Sequence, residues 1–121
     1  MQKRLLLIEH DVTVAAGIRR ALREDEFIID WVQDGPAAVR ALQFASYSVV
    51  VLDLGLPRKQ CLAILDGLYA RSQPIPMVVI DPQQSESDPD ALAARIRAAV
   101  HRKTQRRKHE DRPFALPFSW R

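Results

Sequence analysis

Short continuous apolar runs alternate along the chain with stretches in which apolar residues return every three or four positions. Leu5, Leu6, Leu7 and Ile8 form the first run, between Lys3 and Arg4 on one side and Glu9, His10 and Asp11 on the other. An unbroken run of that length predicts a strand buried on both faces, as in parallel sheets. Val14, Ile18 and Leu22 then recur every four residues with Arg19, Arg20 and Arg23 off the stripe, which predicts an amphipathic helix capped by Asp11 or Thr13. The β-branched and aromatic residues from Phe27 to Val32 predict a second strand. Asp34, Gly35 and Pro36 turn it into a helix carrying Ala37, Ala38, Ala41, Leu42 and Ala45. Val49, Val50, Val51 and Leu52 predict a third strand ending at Asp53. After the Gly55 to Pro57 turn comes a third helix with Leu62, Leu65 and Leu68 near one face. Met77, Val78, Val79 and Ile80 predict a fourth strand, closed by Asp81 and Pro82. Asp88 as N-cap, Pro89 at the first helical position and Asp90 in the first turn announce the last helix. Leu92, Ile96, Ala99 and Val100 stripe it, and the period fades beyond His101.

Strands alternating with amphipathic helices predict an α/β fold, a doubly wound parallel sheet with right-handed crossovers. A length of 121 residues suits one domain. Apolar residues at 47% and charged residues at 27% exclude a wholly disordered or collagen-like chain. The formal charge of +3 suggests a nucleic-acid binder, but its placement weakens that reading. Residues 1–100 hold 11 Lys/Arg against 13 Asp/Glu, whereas residues 101–121 hold 7 against 2. The body is mildly acidic and the basicity belongs to the tail. The single cysteine, Cys61, cannot close an internal disulfide and suits a reducing cytoplasm. No apolar run approaches a membrane span and no hydrophobic leader follows Met1, so a cytoplasmic protein without a membrane segment is expected.

Ligand chemistry in open parallel sheets gathers beyond the carboxyl ends of the strands. Glu9, His10 and Asp11 follow the first strand, Asp53 closes the third and Asp81 the fourth. With the first and third strands adjacent, Glu9 or Asp11 together with Asp53 would form an oxygen-rich cluster suited to a hard cation such as Mg²⁺. A cation there would offset carboxylate repulsion and admit a phosphoryl group.

Leu5-Leu6-Leu7-Ile8-Glu9-His10-Asp11 and Val49-Val50-Val51-Leu52-Asp53-Leu54-Gly55-Leu56-Pro57 resemble the receiver domain of two-component response regulators. Asp34-Gly35 and Arg95-Ile96-Arg97 belong to the same pattern. The likeness is to the subfamily with a winged-helix DNA-binding domain. It runs from Lys3 to about Val79 and resumes from Asp88 to Lys103. It implies a CheY-like, flavodoxin-like sheet, here of four strands in order 2-1-3-4. It also implies that Asp53 is the position that accepts phosphate from a histidine kinase. The backbone carbonyl of Gly55 would bind Mg²⁺ beside Glu9 and Asp53.

The chain departs from that family in three places. His10 replaces a direct metal ligand, and an imidazole suits Mg²⁺ poorly, so affinity for it should fall. Asp11 could compensate, though an acid there also reads as a helix cap. No second His or Cys stands at ligand spacing, so His10 reads as a loop substitution and not as a transition-metal site. Asp81 replaces the family's switch Thr or Ser, and an ionised carboxylate cannot donate to a phosphoryl group. Only Pro82 to Ser87 separate the fourth strand from Asp88, so the family's fourth helix, fifth strand and conserved Lys are missing. The fourth strand should then be an exposed edge.

Residues 1–103 therefore read as a receiver-like domain truncated between 81 and 88. Residues 104–121 read as a basic, then Pro/aromatic tail without an effector domain. Arg102, Lys103, Arg106, Arg107 and Lys108 complement the last helix's dipole or contact phosphate. Pro113, Phe114, Pro117, Phe118 and Trp120 could cover apolar surface. The function expected is that of a degenerate receiver module in bacterial signalling or transcription control. It would not be an enzyme, and its partners would be a histidine kinase or another regulator. Homodimers would form through the fourth-strand edge or the tail, and DNA would be no partner without an effector domain. The competing readings are a working Mg²⁺-dependent phospho-receiver at Asp53 and a flavodoxin-like small-ligand binder. The glycines at 17, 35, 55 and 67 are isolated and form no phosphate loop, which weighs against the last. The resemblance places the final helix at the family's fifth-helix position, although the vacated fourth-helix slot is open to it.

Overall fold

The computed structural model describes residues 2–71, 74–84 and 88–109, leaving aside the side chains of 84 and 103–109. The elements are β1 (Arg4–Ile8), α1 (Val12–Ala21), β2 (Ile28–Val32), α2 (Gly35–Phe44), β3 (Val49–Asp53), α3 (Arg58–Tyr69), β4 (Met77–Ile80) and α4 (Pro89–His109), with a single 3-10 turn (Pro82–Gln84) after β4. The four strands form one parallel sheet in the order β2-β1-β3-β4. This is the strand order the sequence reading anticipated.

The period-two alternation of β1 and β3 splits the core into two layers. Leu5, Leu7, Val49, Val51, Val78 and Ile80 face Ala15 and Ile18 of α1, and Leu92, Ile96 and Ala99 of α4. Leu6, Ile8, Val50 and Leu52 face Ala38 and Leu42 of α2, and Cys61, Ile64 and Leu68 of α3. Leu5 to Ile8 are completely buried, and each contributes about 1.5–3 kcal/mol relative to exposure. That explains why both central strands are continuous apolar runs.

Three local features differ from expectation. On α3 the buried face is Cys61, Ile64 and Leu68, with Leu65 packed partly against them, while Leu62 is 49% exposed. Packing against both the sheet and α2 selects the 61/64/68 spacing, and a residue one position after Cys61 points about 100° away from that face. The second strand starts at Ile28, with Phe27 packed partly against the core. Leu22 caps the C-terminus of α1 and remains buried.

α4 lies beside α1, on the opposite side of the sheet from α2 and α3. It therefore takes the place the resemblance assigned to it, and not the alternative slot. Its apolar stripe fills the space over β3 and β4. Arg97 fastens it with a two-pronged pair to Asp25, at 2.8 and 3.0 Å, and a bond to the Ala21 carbonyl at 3.2 Å.

β4 is an edge strand, as the missing fifth strand implied. Its edge is not bare: Arg95 Nη2 donates to the Val79 carbonyl at 3.1 Å. The α4 backbone continues through position 103 to His109. Arg102 is exposed, whereas the side chains of Lys103, Arg106, Arg107 and Lys108 lie outside the described residues. Pro113, Phe114, Pro117, Phe118 and Trp120 lie outside them too.

Candidate functional site

Because β1 and β3 are parallel neighbours in register, their carboxyl ends open into one pocket. Glu9 and Asp53 meet there, each only 2% exposed. His10, whose side chain is 54% exposed, closes the mouth: its Nδ1 stands 2.7 Å from Asp53 Oδ2 and 3.5 Å from Glu9 Oε2. The other oxygen of Asp53, Oδ1, accepts the Gly55 N–H at 2.8 Å. Each oxygen of the candidate phospho-acceptor thus has a close polar neighbour. Among the described residues, His10 is the one basic side chain within ion-pair distance of Asp53, and no lysine reaches it.

Glu9 is held as tightly. Its Oε2 accepts the Asp11 N–H at 3.0 Å, and its backbone carbonyl accepts the Trp31 indole N–H at 2.8 Å. The Arg19 guanidinium lies 5.9 Å from the Trp31 ring centre and fixes that ring from above. Glu9 Oε1 is buried with no hydrogen-bond partner. Burial first, and then a hydrogen bond shared with Asp53, push the Glu9 carboxyl up to about 8. The rise is the one expected of two adjoining buried acids, whose mutual repulsion favours the neutral form of one of them.

The remaining candidates divide. Asp11 does not join the cluster. Its Oδ1 accepts the Thr13 and Val14 amides at 2.8 and 3.2 Å, so it caps α1, the first of the two roles the sequence offered it. Helix capping wins because those two amides have no other partner in the first turn. Asp81 follows β4, whose Ile80 is paired with Asp53, but its Oδ1 accepts the Gln83 amide at 3.0 Å and caps the 3-10 turn. Gly55 is tightly approached by its neighbours. A Cβ there would lie 3.1 Å from Asp53 Oδ1 and 3.2 Å from Pro82 Cγ.

Two participants escaped the sequence reading, Trp31 and Pro82. The pairing of Leu7 with Trp31 at the end of β1 brings the indole to the acidic loop, a relation visible only once β2 is placed beside β1. Cys61 lies beneath the pocket, its Sγ 3.8 Å from the Leu56 carbonyl. Burial and the Asp53 charge raise its pKa, which makes the thiol a poor nucleophile.

Ligand atoms of Glu9, His10 and Asp53 lie within 4.8 Å of one another. Mg²⁺ takes octahedral oxygen donors and sheds water reluctantly. An imidazole nitrogen already bonded to the central carboxylate, with Asp11 turned away, does not provide such a set.

The family model for the response regulator receiver domain matches residues 5–108. Response regulator protein PmrA of Pseudomonas aeruginosa is 33% identical over 121 aligned positions, covering 85% of this chain and 55% of that protein. Transcriptional regulatory protein QseB of Haemophilus influenzae is 36% identical over 77 positions, covering 64% of this chain and 35% of that one. The chain thus spans about half or less of the length of these relatives. Among solved structures, the signal receiver domain of a putative Luxo repressor protein from Vibrio parahaemolyticus superposes with a TM-score of 0.77 at 17% identity, covering 93% of this chain and all of that one. That likeness bears on the fold alone. Four parallel strands in the order 2-1-3-4, acids gathered at their carboxyl ends and a family match over most of the length lead to one conclusion: the chain belongs to the receiver domains of two-component response regulators.

Proposed function

We propose that this receiver domain works in bacterial signal transduction and transcription control mainly by protein–protein contact, with phospho-acceptance at Asp53 impaired. The observation that carries the reading is the 2.7 Å contact between His10 Nδ1 and Asp53 Oδ2. The imidazole stands where a phosphoryl group would approach Oδ2, while Oδ1 already accepts the Gly55 amide, so an incoming phosphate must displace His10. The charge balance adds to the obstacle. Two buried acids line the pocket, and no lysine among the described residues is within reach to offset an incoming phosphate. At the switch position, Asp81 is an acceptor already committed to its own turn.

Its partners are proposed to be a histidine kinase or another regulator, as befits relatives named response regulator and transcriptional regulatory protein. A second copy meeting the β4 edge is a further candidate. No helix among the described residues is long and apolar enough to cross a membrane, in keeping with a cytoplasmic place of action.

Beryllofluoride with Mg²⁺, a mimic of the phosphorylated acid, tests the reading through the NMR signal of the Gly55 amide. No shift is expected at concentrations of mimic and metal that saturate a working receiver. A saturable shift of Gly55 would restore the working phospho-receiver in its place.

A further inference from the structure

The acidic pocket carries a donor set of its own. We propose that Glu9, His10 and Asp53 form a binding site for a borderline first-row divalent cation of the zinc kind, in preference to magnesium. Three observations meet here. The first is composition: one imidazole nitrogen and two carboxylates are a donor set suited to Zn²⁺ and its neighbours, for which nitrogen ligands raise affinity along the first row. The second is spacing. Two ligands each about 2.1 Å from a tetrahedral ion stand about 3.4 Å apart. His10 Nδ1 is 3.5 Å from Glu9 Oε2, close to that spacing, and 2.7 Å from Asp53 Oδ2, a pair that opens by less than the width of a bond to admit an ion, and all three ligand atoms lie within 4.8 Å of one another. The third is the orphaned oxygen. Glu9 Oε1 is buried without a partner on a residue 98% withdrawn from solvent, an arrangement that is costly unless something supplies the missing bond.

His10 looked isolated in the sequence because ligand spacing was sought among His and Cys alone. The fold supplies the other two donors from the ends of adjacent strands. The half-exposed imidazole puts one of the three donors in contact with solvent. Three protein ligands leave a fourth position for water or an external anion. The Asp11 and Gly55 amides, each bonded to one of the two carboxylates, hold the acids in place.

The proposal uses the same pocket as the impaired-receiver reading but not its phosphate chemistry, and the two fail separately. The full chain, freed of metal with a chelator, is titrated with Zn²⁺ alone and with Mg²⁺ alone while the Asp11 and Gly55 amide signals are followed by NMR. Zn²⁺ should move both, and Mg²⁺ should need roughly a hundred-fold higher concentration. His10→Asp restores an all-oxygen set, so zinc affinity should fall roughly ten-fold or more and magnesium affinity should rise. His10→Asn removes the imidazole donor without adding charge, so zinc affinity should fall there too. Equal zinc affinity in the parent and both variants overturns the proposal, as does magnesium binding the parent as tightly as zinc. Zinc that shifts other signals and leaves these two amides unmoved also overturns it. A beryllofluoride response would sink the impaired-receiver reading and leave the zinc preference standing.

Discussion

At the scale of single residues, the chemistry of this domain turns on who satisfies each buried acid. Asp53 is met by His10 and Gly55 and Asp11 by its own helix, whereas Glu9 has the Asp11 amide on Oε2 and no partner on Oε1. A comparable arrangement stands at the other end of the sheet. There the Tyr47 hydroxyl donates to Asp30 Oδ2 at 2.7 Å and Arg4 Nε donates to the same oxygen at 3.2 Å. Burial, followed by the bond to Asp30, pushes the Tyr47 phenol up to about 12. Its folded value exceeds the unfolded one, so its stabilisation is complete below about pH 10 and disappears as pH climbs towards 12. Urea unfolding between pH 9 and 12 should record that fall. Tyr47→Phe should flatten the fall and cost on the order of 1 kcal/mol at neutral pH, because Asp30 keeps Arg4 as a partner. The acids themselves were legible in the sequence, because they interrupt apolar runs at strand ends. Which of Asp11 and His10 would reach Asp53 was not, because both follow β1 within a few ångströms of chain and only the turn geometry separates them.

At the scale of elements, helix ends and close approaches decide the packing. Asp34 caps α2 by accepting the Ala37 amide at 2.9 Å, and Asp34→Ala should lower stability by about 1 kcal/mol in a urea titration. Gly35, beside it, touches α3. A Cβ there would lie 2.7 Å from Gln60 Cβ and 3.2 Å from Gln60 Cα, while the Gly35 N–H donates to Gln60 Oε1 at 2.8 Å. Gly35→Ala should therefore force the two helices apart and cost about 1–3 kcal/mol, visible as a lower unfolding midpoint. Truncating Arg97, which clasps Asp25 at the end of α1, should cost on the order of 1 kcal/mol or less, since the pair is half exposed. Salt should shrink that difference. The caps at Asp11 and Asp88 were readable because capping acts over three or four residues, and the Asp34 turn was read without its cap. The buried face of α3 was misread at Leu62, since its leucines satisfy helical spacing while the true face runs through Cys61 and Ile64.

At the scale of the whole molecule, the sheet of the described residues ends at β4 where other members of the family, as the resemblance implies, continue to a fifth strand. The outward carbonyl of Val79 is taken by Arg95, a charged guard of the kind that discourages strand pairing between molecules. Arg95→Ala should free that carbonyl and promote association, read as a concentration-dependent rise in mass by light scattering. An unchanged mass across the accessible concentrations would show that the guard is unnecessary. The sequence by itself determined what is local: four strands, four helices, most caps, the acids at strand ends and the shortened link after β4. These follow from residue periodicity and from bonds that span a few positions. The tertiary structure alone decided that α4 lies beside α1, that Arg95 covers the β4 edge, and that Glu9, His10 and Asp53 share one pocket. Those outcomes depend on strands that are distant in sequence but adjacent in space, where burial and the need to satisfy every polar group are settled together.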